Sequence, residues 1–556
     1  MKSFNDYLNE SGEIGFVEEI VHSLAHVSGI PNAVAQELVV FENGDIGQVF
    51  SLSSEIAKIL LFSKRPLTVG MKATRTKQTI RIPVHEKLLG RIINPLGDPI
   101  DNEGPLPHEE KDFRPIDQTP LGIKMRNRIN KPLETGVTFV DMMVPLGRGQ
   151  RELVIGDRKT GKSNFLLKTT LTQAQQGSFC VFVMTGKRKT EIKKTHEFFR
   201  THGVLNKVVV VASTSQDNAG MIFLTPYAGM AIAEYFRDCG QDVLIVLDDL
   251  TTHAKYYREI SLLGKRFPGR NSYPGDIFYV HARLLERAGN FMLDKKESSI
   301  TCIPVVESLQ GDLTGYIQTN VMSMTDGHVF FDSDLFAKGR RPAINPFLSV
   351  TRVGRQTQTQ LRQEINRELT SFFTLYEKIQ NFVHFGAELS ENIKLTLATG
   401  DRMLSFFSQT AFTAIPMNAQ IVVFCMLWNG VWTHKTSEDM KTDMDELIEE
   451  YRKNAKLRSL IDQLVTGTSS FNELLQKVRE QENNVLRFVS KKPTAVASEP
   501  TAVASNAAKP TAIPKPKTKP TTIKRGSATV KRGSARKIKK LVKKSVKSKK
   551  TRRGKK

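Results

Sequence analysis

The eight residues Gly156 to Ser163 read G-D-R-K-T-G-K-S and match the phosphate-binding loop G-x-x-x-x-G-K-[ST]. A short apolar run at 152–155 precedes them, and a stretch suited to a helix at 164–175 follows. Strand, glycine loop and helix in this order bring backbone N–H groups together at the positive end of the helix, where phosphates bind. The pattern predicts a nucleotide site. The alternative interpretation is a glycine turn with an exposed lysine.

The residues of this loop have predicted roles toward ATP or ADP and Mg²⁺. Lys162 is expected to reach the β- and γ-phosphates, and the hydroxyl of Ser163 is expected to lie on Mg²⁺. The other predicted nucleotide-binding residues of the loop are Gly156, Asp157, Arg158, Lys159, Thr160 and Gly161.

An acidic pair ends a second apolar run, Val243 to Leu247. P-loop ATPases hold Mg²⁺ through an Asp at such a strand end. Asp248 is therefore the second predicted Mg²⁺ and nucleotide residue, acting directly or through water. The alternative is a helix cap, because Thr251 and Thr252 follow.

Composition limits the class of protein. The 556 residues are enough for three domains with large cores. The N-terminus has no apolar segment typical of a signal peptide, and the longest apolar run, 421–428, is too short to span a bilayer. We expect a soluble cytoplasmic protein. Its four widely spaced cysteines are expected to be reduced thiols: Cys180, Cys239, Cys302 and Cys425.

The net charge of +24 is concentrated at the C-terminus. Residues 491–556 contain 23 Lys and Arg against the single acid Glu499, so they carry +22 and the first 490 residues carry about +2. This segment repeats short motifs and has no aromatic residue. Because it cannot bury enough apolar area to offset the entropy of ordering, we expect a disordered tail.

The pattern of apolar runs predicts an α/β protein with four parts. Residues 1–82 are expected to form a β-barrel, 83–358 a P-loop (RecA-like) domain with a largely parallel sheet, 359–490 a helical domain, and 491–556 the Lys-rich tail. The runs behind this prediction are Ile14–Ile20, Val34–Phe41 and Gly47–Leu52 for the barrel; Glu152–Ile155, Phe179–Thr185, Val208–Ala212, Val243–Leu247 and Ser299–Val306 for the sheet; and Asp439–Arg458 and Phe471–Phe488 for the helices.

Several sequence blocks, in order, resemble the alpha subunit of F-type rotary ATP synthases over roughly residues 12–490. They lie just before the P-loop, in the middle of the chain and near the end of the predicted P-loop domain. The blocks are Gly90–Gly97, Pro145–Leu153, Pro268–Arg270, Tyr273–Asp276, Arg283–Arg287, Arg341–Asn345 and Ser349–Gly354.

The resemblance implies a ring of three alpha and three beta subunits around a central stalk, with catalysis mainly on beta. Arg352 matches the arginine that the alpha subunit lends to the neighbouring beta site, where it stabilises charge on the transferring phosphoryl group. The alternative for Arg352 is an ordinary salt-bridge arginine. Lys187 stands where beta subunits carry the Glu that positions the attacking water, and a charged lysine cannot accept that hydrogen bond. This chain's own site is therefore predicted to bind nucleotide without hydrolysing it.

The resemblance also predicts the adenine end of the site. Phe336, Arg341, Pro342 and Gln409 match family positions around the base, whereas Thr410-Ala411-Phe412 replaces a second expected glutamine. Within the loop, Lys159 stands for a family glutamine and is expected either to strengthen phosphate binding or to compete with Mg²⁺.

Two departures from the family bear on biological role. Few residues, Met1 to Asn9, precede the predicted barrel where the family carries a stator-anchoring helix, and the basic tail is not a family feature. These features suggest the divergent F-type-like ATPases of wall-less bacteria (mollicutes). Such an assembly is expected at the inner face of the cell membrane, coupled to proton transport or driving surface machinery such as gliding motility.

Other functions compete with this interpretation. A nucleic-acid-binding hexameric ATPase is suggested by the tail, because polycations bind phosphate backbones, but the tail lacks aromatics for base stacking. The tail also suits an anionic membrane or an acidic protein, or is a solvated extension. A self-sufficient ATPase is disfavoured by Lys187.

Overall fold

The computed structural model describes residues 2–63, 65–383, 391–409 and 414–488, which all fall in one compact unit. The predicted disordered tail lies outside the described residues, as does the replacement predicted at Thr410, Ala411 and Phe412. The predicted boundaries at 82/83 and 358/359 stay predictions.

A closed antiparallel barrel forms the N-terminal part, as the sequence predicts. Its strand order is β1-β2-β5-β4-β3-β6. A short helix, α1 (Phe4–Ser11), lies on β6, where the hydroxyls of Ser11 and Thr74 are 2.8 Å apart. The strands are β1 (Gly15–Val21), β2 (Leu24–Ser28), β3 (Glu37–Phe41), β4 (Ile46–Leu52), β5 (Ile56–Leu61) and β6 (Lys72–Thr79).

The central part is built on a nine-stranded, mainly parallel sheet. Its order is β19-β18-β12-β17-β15-β13-β14-β8, with β16 paired to β17; β16 and β19 run antiparallel to their neighbours. Short strands β7 with β9 and β10 with β11 form two small pairs beside it. The strands are β7 (Arg81–Pro83), β8 (Ile92–Ile93), β9 (Phe113–Pro115), β10 (Pro132–Leu133), β11 (Leu146–Gly147), β12 (Glu152–Gly156), β13 (Phe179–Lys187), β14 (Val208–Thr214), β15 (Val243–Asp248), β16 (Gly289–Leu293), β17 (Lys296–Glu307), β18 (Gly327–Phe331) and β19 (Val350–Thr351).

Helices cover this sheet because its central strands are apolar on both faces. Every residue of β12, β14 and β15 is buried. The covering and connecting helices are α2 (Thr138–Met143), α3 (Lys162–Gln175), α4 (Lys189–Thr201), α5 (Ala219–Asp238), α6 (Leu250–Leu263), α7 (Ile277–Leu285), α8 (Tyr316–Met324) and α9 (Ser333–Ala337). The five predicted sheet runs are confirmed as strands.

The C-terminal part is helical, and its core is continuous with one side of the sheet. α12 is buried at its centre, and no helix of the described ranges combines the length and apolar content needed to cross a membrane. The stretch 439–458, predicted as helical, is helical but divides at Asn454. The Asn454 side chain accepts hydrogen bonds from the backbone N–H groups of Lys456 and Leu457 and so starts a new helix. The helices are α10 (Gln360–Val383), α11 (Glu391–Phe407), α12 (Met417–Trp428), α13 (Ser437–Lys453), α14 (Ala455–Thr466) and α15 (Phe471–Leu486).

Candidate nucleotide-binding site

The phosphate-binding loop connects β12 to α3 in the predicted arrangement of strand, loop and helix. Two glycines allow its path. A Cβ on Gly156 would lie 2.4 Å from the carbonyl oxygen of Phe331, and Gly161 has φ +100°, a left-handed conformation that side chains rarely adopt. α3 begins directly after Gly161, at Lys162, two residues earlier than the sequence predicts. The first N–H groups of α3 therefore lie beside the loop.

Lys162 points back into the loop. Its ammonium donates hydrogen bonds to the carbonyl oxygens of Gly156 (2.7 Å) and Asp157 (2.6 Å). Burial lowers the pKa of this lysine, while nearby carboxylates, Asp248 among them, oppose the shift. A phosphate entering the loop would offer the ammonium a charged acceptor in place of neutral carbonyls, which makes a stronger hydrogen bond.

Three other loop residues hold the loop in shape. The carboxylate of Asp157 accepts a hydrogen bond from the Ser308 hydroxyl at 2.6 Å, and the hydroxyl of Thr160 donates to the Asp157 carbonyl at 2.8 Å. Arg158 forms a 2.9 Å ion pair with Glu307 at the end of β17. Asp157 and Thr160 are thus committed to the protein, and only the Arg158 side chain stays exposed.

Lys159 and Ser163 are exposed beside these residues. Lys159 has φ +63°, so the loop turns at this point and its side chain lies at the surface. The Ser163 hydroxyl lies in the first turn of α3, at the helix end that attracts anions such as phosphate. Both placements fit the predicted contacts with phosphate or its counterion.

The acidic pair at the end of β15 divides into two roles. Asp249 is the helix cap, because its carboxylate accepts hydrogen bonds from the N–H and the hydroxyl of Thr252 at 2.6 and 3.1 Å. Asp248 instead pairs with Lys187, whose ammonium lies 2.7 Å from its Oδ1 and 3.2 Å from Oδ2 of Asp249. The cap alternative is therefore seen at Asp249, one residue after the predicted position, whereas the Mg²⁺ role of Asp248 stays a prediction.

The pKa values of this cluster follow from burial and charge. The Lys187 side chain is only 19% exposed, and its burial alone would lower its pKa. The carboxylates of Asp248 and Asp249 more than offset burial and raise the pKa of Lys187. Burial raises the pKa of Asp248, against the opposing effect of Lys187. Lys187 is therefore a cation in this site.

The pairing of Lys187 with Asp248 follows from strand order. β13 and β15 are parallel neighbours, with Met184 opposite Asp248, so their carboxyl ends meet at one edge of the sheet. Sequence reasoning identified Lys187 and Asp248 separately but missed their contact, and it missed Glu307. The signal was present in the sequence, since each of these residues closes an apolar run and such ends converge in a parallel sheet.

Arg352 lies at the other edge of the sheet. It is exposed, directly after β19, and its N–H donates to the Asp326 carbonyl at 3.0 Å. In the sheet, Thr351 pairs with Gly327 of β18, and Gly327 pairs with Glu152, the first residue of β12. The phosphate-binding loop begins at the opposite end of β12. Four residue steps along β12 separate the two levels by about 13 Å. Arg352 does not face this chain's own loop.

The residues predicted around the base lie together. The guanidinium of Arg341 stacks 3.5 Å from the ring centroid of Phe336, and the peptide bond before Pro342 is cis. The backbone N–H of Gln409 donates to the Arg341 carbonyl at 2.8 Å. The Gln409 side chain is buried: its amide oxygen accepts a hydrogen bond from the Thr138 N–H, and its amide nitrogen donates one to the Gly136 carbonyl. Gln409 therefore supports the Arg341 segment from the protein interior. The stacked Phe336 and Arg341 side chains form a flat surface of the kind suited to a base.

Two family models and two relatives match this protein over most of the described residues. The model of the ATP synthase alpha/beta family nucleotide-binding domain matches residues 136–351, and a second model, of the C-terminal domain in the same alpha/beta family, matches 358–485. The ATP synthase subunit alpha of Sulfurovum sp. is 39% identical over 75% of this protein and 83% of its own length. That of Caldanaerobacter subterraneus subsp. tengcongensis is 38% identical over 77% and 84%. The protein belongs to the ATP synthase alpha/beta family, as an alpha subunit.

The ATP synthase family match covers both parts of the site. The nucleotide-binding domain model includes the loop, the Asp248 cluster and the predicted base contacts Phe336, Arg341 and Pro342, and it ends one residue before Arg352. The C-terminal domain model includes Gln409 and the helices that share a core with the sheet. The predicted resemblance is confirmed at the level of the alpha subunit, and nucleotide binding is the property that its domain carries.

Proposed function

We propose that this alpha subunit binds ATP or ADP in its own site without hydrolysing it. The observation that carries the proposal is the cation at position 187. Hydrolysis needs an acceptor that orients and deprotonates the attacking water. At the end of β13 the structure has an ammonium held by two aspartates, and the carboxylates nearest to it are both engaged.

The isolated full-length subunit is expected to bind ATP but to turn it over at a small fraction of the rate of its native complex. Binding by calorimetry and phosphate release should be measured on the same preparation. Lys162→Ala is expected to weaken binding, because the loop loses its ammonium. Turnover by the isolated subunit near the rate of the complex would contradict the proposal.

The partners follow from the family assignment. We infer a ring of alternating alpha and beta-type subunits, three of each, around a central stalk, with Arg352 completing the neighbouring beta-type catalytic site. The exposure of Arg352 and its distance from this subunit's own loop support that role. The subunit is thus part of an ATP-hydrolysing or ATP-synthesising enzyme, placed peripherally at the inner face of the membrane and coupled to proton transport.

A specialised motor for surface machinery is the second candidate. The observation that favours it is the +22 charge of residues 491–556, a feature suited to an anionic membrane or an acidic protein partner. Nucleic acid is the less favoured target, because the segment has no aromatic residue for stacking.

Deleting residues 491–556 is expected to leave folding and ATPase activity intact and to weaken attachment to an anionic partner. Many weak Coulomb contacts are screened together, so attachment should fall steeply with salt. Full-length and truncated complexes should be compared for co-sedimentation with anionic vesicles, nucleic acid and the cell envelope fraction across a salt series. Equal behaviour with all three would make the tail a solvated extension, and loss of ring assembly would place it in the fold.

The predicted Mg²⁺ residues differ in their fit to the ion. The exposed hydroxyl of Ser163 is a suitable oxygen ligand. Asp248 is less suitable, because the Lys187 ammonium lies 2.7 Å from its Oδ1 and repels a second cation at the same carboxylate. Among the residues that the structure describes, no group of three or more His, Cys, Asp or Glu side chains could hold a metal ion. Nucleotide phosphates and Ser163 are the Mg²⁺ contacts that we propose here.

A further inference from the structure

The poor fit of Mg²⁺ at Asp248 points to a different counterion for the phosphates. Mg²⁺ requires oxygen ligands at about 2.0–2.1 Å in near-octahedral geometry. The Lys187 ammonium lies 2.7 Å from Oδ1 of Asp248, and both side chains are largely buried. A metal ion on either oxygen of this carboxylate would lie next to the ammonium, and in a largely buried site the repulsion between two adjacent cations is costly.

Cations already offset most of the negative charge of this cluster before any ligand binds. The pair Asp248 and Asp249 acts on the ammonium groups of Lys162 and Lys187, and Glu307, the strongest acidic influence on Lys162, pairs with an arginine of the loop. The negative charge that would attract a divalent cation is therefore largely compensated. Replacing Lys187 by a neutral residue would uncover it.

We propose that the Lys187 ammonium takes the place of the divalent cation at Asp248, so that the site gains little from Mg²⁺ and metal-free ATP or ADP binds about as well as the Mg²⁺ complex. The ligand class is a nucleoside polyphosphate without its metal. This inference rests on the proposed nucleotide-binding function. Lys187 then has two effects. It removes the acceptor that would orient water, and it makes the nucleotide affinity of the site insensitive to the Mg²⁺ concentration.

The test measures ATP and ADP binding to the isolated full-length subunit by calorimetry, once with excess Mg²⁺ and once with excess EDTA. For the natural protein the two dissociation constants should agree within about threefold, whereas for Lys187→Gln chelation should weaken binding by at least about tenfold, equivalent to 1.4 kcal/mol. Lys189→Gln is the matched control: it removes the same charge from an exposed residue two positions on, outside the cluster. It should behave as the natural protein does.

Lys187→Arg covers the case in which the neutral variant does not fold, because it keeps the positive charge between the two aspartates. It should keep the small difference between Mg²⁺ and EDTA. A natural protein that loses tenfold or more in affinity with EDTA would overturn the inference, as would a folded Lys187→Gln variant that stays insensitive to chelation. Absence of nucleotide binding under both conditions would instead refute the proposed function itself.

Discussion

Arg352→Ala is expected to lower ATP hydrolysis by the assembled complex by about 10³–10⁵-fold, the effect of arginine fingers in P-loop enzymes. Under the proposed assignment the loss arises in the neighbouring subunit's site, since Arg352 is exposed and lies about 13 Å along β12 from its own loop. Removing an exposed side chain should spare folding and ring assembly. Steady-state phosphate release and gel filtration of the same preparation would measure both.

Three variants sharpen this experiment. Arg352→Lys is expected to recover little activity, since an ammonium cannot reproduce the planar, two-pronged guanidinium. Arg355→Ala removes another exposed arginine three residues away and should leave the rate nearly unchanged. Lys162→Ala should act on this subunit's own nucleotide binding and less directly on turnover. Equal and mild effects of Arg352→Ala and Lys162→Ala would show that the two sites are assigned wrongly.

Arg287→Ala is expected to destabilise the fold by about 3 kcal/mol, the lower end of the cost of breaking a buried ion pair, because Arg237 stays 3.9 Å from Glu234. Arg287 is fully buried and holds both carboxylate oxygens of Glu234 at 3.0 and 2.7 Å. Its remaining nitrogen donates to the Ile116 carbonyl at 2.8 Å, so it ties α5 to the connection between barrel and sheet. Chemical denaturation of the full-length subunit, followed by circular dichroism, would measure the loss.

The control for this prediction is an exposed pair. Arg200 and Glu197 lie on one turn of α4, with side chains 60% and 49% exposed. Arg200→Ala should cost less than about 1 kcal/mol, because solvent screens the pair. Similar losses in the two variants would mean that burial of Arg287 does not govern its contribution.

The sequence predicted those parts of the molecule that depend on local pattern. The strands β12 to β15 are short apolar runs followed by loops or polar residues, and the phosphate-binding loop carries its glycines at fixed spacing, so both were recognisable without tertiary information. The break between α13 and α14 at Asn454 could not be predicted in this way. The apolar spacing continues across it, and only the side chain's hydrogen bonds to the following N–H groups end one helix and start another.

The ion pairs of the site depend on the order of strands in the sheet, which local pattern does not reveal. Lys187 and Asp248 are 61 residues apart and meet because β13 lies beside β15. Gln409 shows the same limit. Its backbone lies beside Arg341, but the direction of its amide, toward Thr138 and away from the surface, depends on how α2 packs against the C-terminal helices, and its predicted contact with the base stays a prediction.

The placement of the loop and of Arg352 at opposite edges gives the sheet a direction. A subunit with an accepting edge and a different donating edge associates head to tail, and such contacts close into a ring when the angle between successive subunits allows it. Under the proposed assignment the order of subunits around the ring therefore has one handedness, and every site is completed by the neighbour on the same side.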